Sequence, residues 1–211
     1  SMLGGMRVEI WSDVVCPWCY IGKARFEEAL AGFEHRAEVE VVYRSFELDP
    51  SRDTIESVED MLTSRYGPQA SEMEQRVAGM ARAEGLGYRT DREVGNTFTV
   101  HRMLHLARAH GLERELLTAL FHANFAEARS LFSGDTLLDV AVSVGLDKSD
   151  VQRVLDDPTV YADDVRQEER EAAQLGAQAV PFFVLDRRIG VSGGQPAEVF
   201  AKALRQAWDA A

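Results

Sequence analysis

Apolar and polar positions alternate at the start of the chain, where "RVEIW" puts Val8 and Ile10 in one phase and Arg7 and Glu9 in the other. Period two predicts a strand with one buried and one solvated face. A helical pattern follows, with Phe26, Leu30 and Phe33 down one side. Then "EVEVVYRSF" alternates again, with Val39, Val41 and Tyr43 in phase. Strand, helix and strand in that order predict a βαβ unit with a right-handed crossover.

From about Ser51 the period changes, and residues 52 to 156 carry no convincing strand. Val100, Met103, Leu104 and Ala107 form one helical stripe, and Leu117, Leu120, Phe121 and Phe125 a second. Leu137, Leu138 and Ala141 form a third that stops at Gly145, a residue suited to the position just past a helix. Ser149 is the expected cap of a short helix holding Val151, Val154 and Leu155, with Pro158 beyond its end. "RQEEREAAQLG" reads as a helix with a solvated charged face, ending at Gly176. The continuous apolar run "PFFVLD" predicts a strand buried on both faces. "RIGVSGG" is its expected hairpin partner, although the turn between them lacks an Asn-Gly type signal. Pro196 is placed at a first helical position, ahead of Val199, Phe200, Ala203, Leu204 and Trp208 at helical spacing. The layout predicts an α/β sheet interrupted by a helical insertion.

Length and charge narrow the function. At 211 residues the chain can bury a core without staples, so its two cysteines are not a structural framework of the secreted kind. A formal net charge of −12 argues against nucleic acid, which needs clustered Lys and Arg. No apolar run approaches the roughly 20 residues of a membrane span, so no membrane partner is expected. "SMLGGMRVEIW" has no h-region of a signal peptide, and Ser1 ahead of Met2 reads as an expression scar, which leaves a removed leader open. Cytoplasmic is the default location.

The candidate chemistry lies in "SDVVCPWCYIGK", which holds both cysteines, Cys16 and Cys19, three positions apart at the predicted strand-to-helix junction. The unpartnered N–H groups of a helix start stabilise a thiolate and lower its pKa from about 8.5. Pro17 suits the first turn, and Cys19 follows one turn on, within reach of a disulfide with Cys16. Cys16 would attack and Cys19 would resolve. Trp18 carries no formal charge and supports the thiolate less than a histidine would. Asp13 is expected as a turn residue, although it would oppose the thiolate if its side chain turned inward. Two other readings stand beside this one. His101 and His105, four apart on a predicted helix, complete a zinc-like set with the cysteines, but 81 residues intervene where compact zinc modules space their pairs by about 12–15. Two inert buried thiols are the third reading. A C-x-x-C at a βα junction points to redox chemistry ahead of both, with no metal expected.

"SDVVCPWCYIGK" together with the late "AVPFFVLDRRIGVSGGQP" resembles the DsbA-like thioredoxin-fold family, most closely its FrnE-like branch. "GNTFTVHRMLHLARAHG" and "LFHANFAEARSLFSGDTLLDVAVSVGLD" extend the resemblance over nearly the whole chain. It implies a thioredoxin fold over residues 6–50 and 160–211, split by an all-α insertion domain at 51–159. It also implies that Pro181 is cis and packs beside the cysteines. Trp18, Val180 and Pro181 would then meet the substrate, the backbone of Val180 pairing with an incoming peptide or thiol. From the sequence alone, Val180-Pro181 only opens a buried strand, a place that tolerates proline.

The leading function is a thiol–disulfide oxidoreductase acting on protein or small-molecule thiols and disulfides, without a bound cofactor and with glutathione at most as a co-substrate. The potential, the direction of electron flow and the oligomeric state stay open. A second function is a glutathione-dependent isomerase or transferase, since the superfamily includes kappa-class glutathione transferases and 2-hydroxychromene-2-carboxylate isomerases. Those enzymes carry serine where this chain has Cys16, and "SGGQP" lacks the acidic residue that holds glutathione's γ-glutamyl end. Asn96 and His101 could still line a ligand pocket between the domains, against the plainer readings of a helix cap and a boundary residue. A third function is a chaperone-like binding protein using Trp18, Tyr20 and the helical part as an apolar groove.

Overall fold

The computed structural model describes residues 4–211; Ser1 and Met2, and with them the reading of Ser1 as a scar, lie outside the described residues. In chain order the elements are β1 (Met6–Ser12), α1 (Pro17–Ala31), β2 (Val39–Ser45), β3 (Glu56–Ser57), α2 (Val58–Tyr66), α3 (Ala70–Ala83), β4 (Glu93–Val94), α4 (Phe98–Ala109), α5 (Glu113–Phe121), α6 (Gly134–Ser143), α7 (Lys148–Asp156), α8 (Ala162–Gln174), β5 (Phe182–Leu185), β6 (Ile189–Ser192) and α9 (Ala197–Asp209). Two compact units result, one closing at Phe46 and resuming over Glu168–Ala211, the other comprising Glu47–Gln167.

The first unit is built on a four-stranded sheet in the order β2-β1-β5-β6. β1 runs parallel to β2, with Val8 opposite Val41 and Ile10 opposite Tyr43, and antiparallel to β5, with Ile10 opposite Phe183. β1 and β5 are therefore inner strands, which accounts for the apolar run of β5. On one face Phe183 meets Phe26 of α1 at 5.4 Å and Phe200 of α9 at 4.5 Å between ring centroids. This is the thioredoxin fold with a helical insertion.

The other face departs from the expected solvated side of β1. Glu9 is only 2 % exposed. Arg44 and Arg187 bind its carboxylate at 2.9 and 2.6 Å. Burial alone would raise the Glu9 carboxyl, but the hydrogen bonds from the two guanidinium groups outweigh it and hold the group below its usual range. Glu168 of α8, read from sequence as part of a solvated face, is also buried: it accepts from Arg44 at 2.8 Å and from the Ser45 N–H at 3.0 Å. Its backbone carbonyl takes the Trp11 indole N–H at 2.8 Å. Paired charges thus cover what the alternation assigned to water.

The β5–β6 hairpin forms without a glycine in its turn. The loop is Asp186, Arg187 and Arg188; the Arg188 N–H closes a turn on the Leu185 carbonyl at 3.0 Å, and the two central residues of that turn, Asp186 and Arg187, both hold positive φ, 51° and 55°. Tertiary bonds support them: the Asp186 carboxylate accepts the Arg7 N–H at 2.8 Å, and Arg187 reaches Glu9. Pro196 sits one place earlier than expected, as the extended residue before α9.

In the second unit all three apolar stripes lie on helices or the turn after α5, with Val100, Met103, Leu117, Leu120, Phe121, Phe125, Leu137 and Ala141 buried. The cap of α7 is Asp147 rather than Ser149: its carboxylate accepts from the Ser149 and Asp150 N–H groups. An aspartate two residues earlier does the same chemistry, and spacing alone could not choose between them. Buried Arg102 donates to the carbonyls of Val154, Asp157 and Val160 around the end of α7. One pair of two-residue strands, β3 and β4, interrupts the helices; such short strands show no alternation to read.

Candidate active site

β1 ends at Ser12, and a turn closed by the Cys16 N–H on the Asp13 carbonyl (3.2 Å) delivers the chain to α1. The Asp13 carboxylate is buried and accepts the Val14 N–H at 2.8 Å. Asp13 is thus the expected turn residue, and it also turns inward, where its charge opposes a thiolate at Cys16.

Cys16 stands immediately before the first helical residue, extended at φ −86° and ψ 114°, with Pro17 opening α1. Its carbonyl accepts the N–H groups of Cys19 and Tyr20 at 3.1 and 3.2 Å. Cys19 lies one turn into the helix, and the two sulfurs are free thiols, 5 % and 1 % exposed for Cys16 and Cys19. Their surroundings push them apart. A hydrogen bond from the Cys19 thiol, helped by the backbone N–H groups of Cys19 and Trp18, holds the Cys16 thiol below its usual range against burial and the Asp13 charge. Burial, together with the neighbouring Cys16 thiolate, pushes the Cys19 thiol well above it, despite hydrogen bonds from the Asp13 N–H and the Ser12 hydroxyl. Of the two thiols, Cys16 is the one that ionises first.

The second half of the site comes from the far end of the chain. The Val180–Pro181 peptide is cis, and the Cys16 Sγ lies 3.7 Å from the Val180 carbonyl. The Gly193 N–H donates to the Pro181 carbonyl at 2.8 Å, and Arg25 of α1 donates to the Gly194 carbonyl at 2.7 Å. The contact is close enough to demand glycine twice. A methyl group on Gly22 would stand 3.0 Å from Pro181 Cγ, and one on Gly194 would stand 3.0 Å from the Trp18 carbonyl oxygen and 3.1 Å from its ring. Gly194→Ala should therefore cost about 1–3 kcal/mol through overpacking, read as a lowered urea midpoint at unchanged m; an unmoved midpoint would show that the loop yields freely.

Five residues singled out in the sequence, Cys16, Cys19, Trp18, Val180 and Pro181, meet in this one place. Trp18 is half-buried, its backbone against Gly194. Asn96 and His101 do something else. The Asn96 amide donates to the Pro50 and Arg52 carbonyls at 3.3 and 3.1 Å, and its oxygen accepts the Phe98 N–H at 2.9 Å, the helix-start role. His101 and His105 are buried on α4. Among the described residues, no group of three or more His, Cys, Asp and Glu is arranged to hold a metal ion, and no helix is long and apolar enough to cross a membrane. Sequence reasoning missed Gly22, Gly194 and Arg25; the Gly193-Gly194 doublet was the available signal.

Comparison with known proteins places this geometry in context. A model of the DSBA-like thioredoxin domain matches residues 7–205. The uncharacterized protein YwbO of Bacillus subtilis (strain 168) is 30 % identical over 203 residues, covering 94 % of this chain and 96 % of its own. The crystal structure of a probable DsbA oxidoreductase from Streptomyces coelicolor superposes with a TM-score of 0.94 at 59 % identity, covering 97 % of this chain and 90 % of that one. The cytosolic disulfide reductase DsbM from Pseudomonas aeruginosa, solved with GSH, gives a TM-score of 0.68 at 20 % identity over 95 % of this chain and 98 % of its own, a likeness of fold alone.

Proposed function

The chain belongs to the family of DsbA-like thioredoxin domains and is a thiol–disulfide oxidoreductase; on that premise we propose that Cys16 is the attacking thiolate and Cys19 the resolving thiol. The observation that carries this assignment is the placement of Cys16 at the start of α1, 3.7 Å from the Val180 carbonyl, with Cys19 one turn on and 1 % exposed; the opposite shifts of the two thiols agree with it. The Cys16 thiolate attacks a substrate disulfide, forming a mixed disulfide and releasing one substrate sulfur as a thiolate. Cys19 then loses its proton to solvent and attacks the Cys16 sulfur. The Cys16–Cys19 disulfide forms, and the second substrate sulfur departs with the electron pair of the broken bond. The pair is oxidised by two electrons and the substrate disulfide reduced; oxidation of a partner runs the same steps backwards.

Val180, Pro181 and Trp18 form the substrate-facing rim in this reading. The Val180 backbone, beside the Cys16 sulfur, offers an incoming extended chain main-chain hydrogen bonds. The FrnE-like branch remains our finer placement within the family, resting on the CPWC sequence and the later helical stretches. We place the protein in the cytoplasm: its only two cysteines both stand at the site, and none is used for a structural disulfide. The pair then rests as a dithiol, and the protein acts as a reductant.

Equilibration in graded glutathione buffers, with thiols trapped by acid and counted, tests the reading. One reversible two-electron transition is expected, with a midpoint nearer roughly −270 mV than −120 mV if the protein is a reductant. In the reduced protein, alkylation by iodoacetamide should remain fast as pH falls below the ordinary thiol range near 8.5, because the Cys16 thiolate persists there. Absence of a Cys16–Cys19 disulfide at every ratio would end the proposal.

A further inference from the structure

Three residues of α1 meet the segment between β6 and α9. Trp18, Gly22 and Arg25 are spaced four and three positions apart, so they share one stripe of the helix. Trp18 and Gly22 close on the segment by packing: a methyl group on Gly194 would stand against the Trp18 carbonyl and ring and 3.5 Å from the Gly22 Cα. Arg25 closes on it by a bond, its Nη1 donating to the Gly194 carbonyl at 2.7 Å in a partly buried position.

Proline makes that bond important. Phe182 stands opposite Ser192, and the Gly193 N–H carries the β5–β6 pairing one step further, to the Pro181 carbonyl at 2.8 Å. Antiparallel residues in a hydrogen-bonded pair normally exchange two bonds. Pro181 has no N–H to return, so the rung beside the cysteines carries one bond. Gly193 then takes φ +86° and turns the chain out of the ladder. The Arg25 guanidinium, a charged donor, secures the carbonyl of the next residue. Pro181 is thus held between Gly22, on which it packs, and the Gly193 N–H. What this clamp positions is the adjoining Val180 carbonyl, 3.7 Å from the Cys16 sulfur.

Resting on the reading that the Val180 backbone pairs with an extended substrate chain, we propose that Arg25 is a positioning residue for peptide substrates: through Gly194 and Gly193 it fixes the Val180–Pro181 edge beside Cys16. The exchange at sulfur is unaltered. Cys16 forms its bond to the peptide sulfur, and the bond from that sulfur to the leaving thiolate breaks with its electron pair on the leaving group. A substrate too short to reach the edge therefore bypasses Arg25, whereas a chain that pairs with Val180 depends on it.

Two reagents with the same reacting atoms separate docking from chemistry. One is an extended peptide whose single central cysteine carries a mixed disulfide with 5-thio-2-nitrobenzoate; the other is N-acetylcysteine methylamide carrying the same group. Stopped-flow absorbance with the full-length reduced protein follows release of the coloured thiolate. The wild type should half-saturate at a lower concentration of the peptide than of the short compound. In Arg25→Ala the half-saturating peptide concentration should rise by about 3- to 10-fold, the span of losing one net hydrogen bond. The limiting rate with the peptide, and the rate with the short compound, should stay within about twofold, because only binding is touched. Arg25→Lys keeps a cationic donor and should recover most of the loss. Arg25→Met, similar in length but without a donor, should behave as the alanine variant and replaces it if that variant folds poorly. A general fall in stability slows both reagents or neither, so it does not mimic the split. Half-saturation by the peptide unchanged in Ala and Met, or both reagents slowed alike, overturns the role of Arg25 and leaves the Val180 reading standing. A wild-type protein that takes the peptide no better than the short compound overturns the Val180 reading, and the role of Arg25 with it.

Discussion

Cys16→Ser is expected to reduce disulfide turnover to the uncatalysed background, a loss at least on the order of a thousandfold, with the fold intact. Serine fills nearly the same volume in a site that is 5 % exposed, so circular dichroism and the urea midpoint should barely move. The loss is chemical: a hydroxyl does not ionise where the Cys16 thiol does, and no other described sulfur stands at the helix start. Cys19→Ser should behave differently. The Cys16 thiolate still attacks, but its depression owes most to the hydrogen bond from the Cys19 thiol, which a serine hydroxyl can replace. The variant should therefore accumulate a mixed disulfide with its substrate, visible by mass spectrometry and released by dithiothreitol. Turnover surviving Cys16→Ser, or a trap forming on Cys16→Ser rather than Cys19→Ser, would reverse the assigned roles.

The second large effect is expected away from the sulfurs, in the ion network beneath the sheet. Glu168→Ala should cost about 3–5 kcal/mol. It takes an acceptor from the Ser45 N–H and one carboxylate from Arg44, which also serves Glu9, where both carboxylates are buried and Arg44 is 18 % exposed. Glu168→Gln keeps an acceptor for Ser45 and should cost less, about 1–3 kcal/mol. Urea denaturation at pH 7 measures both, and a loss below about 1 kcal/mol for the alanine variant would show that the layer repacks or admits water. The network also gives stability a pH dependence. The Glu9 carboxyl is depressed in the folded chain, so its contribution is fully present above the unfolded value of about 4.3 and is lost as pH falls through the folded value.

Much of the site could be read before the structure. Cys16, Pro17 and Cys19 declare a thiol pair at a helix start through spacing alone, because helix geometry is local. Val180-Pro181 entered through resemblance to a family, since nothing in an apolar run signals a cis peptide. Gly22 and Gly194 are required only because three distant segments converge on Pro181.

The sequence by itself determined the four strands of the main sheet and the helices from α4 onward, the inner position of the PFFVLD strand and the identity of the reactive pair, all of which rest on periodicity and near-neighbour chemistry. Tertiary structure decided which polar residues are buried and how deeply each thiol is covered. Glu9 and Glu168 read as solvated because alternation reports only the preference of each residue, whereas their burial depends on Arg44 and Arg187 arriving from elsewhere in the chain. The helix start already put the thiolate at Cys16 in the sequence, whereas the depth at which each sulfur is covered comes into being only when β1, α1 and the Pro181 loop are packed together.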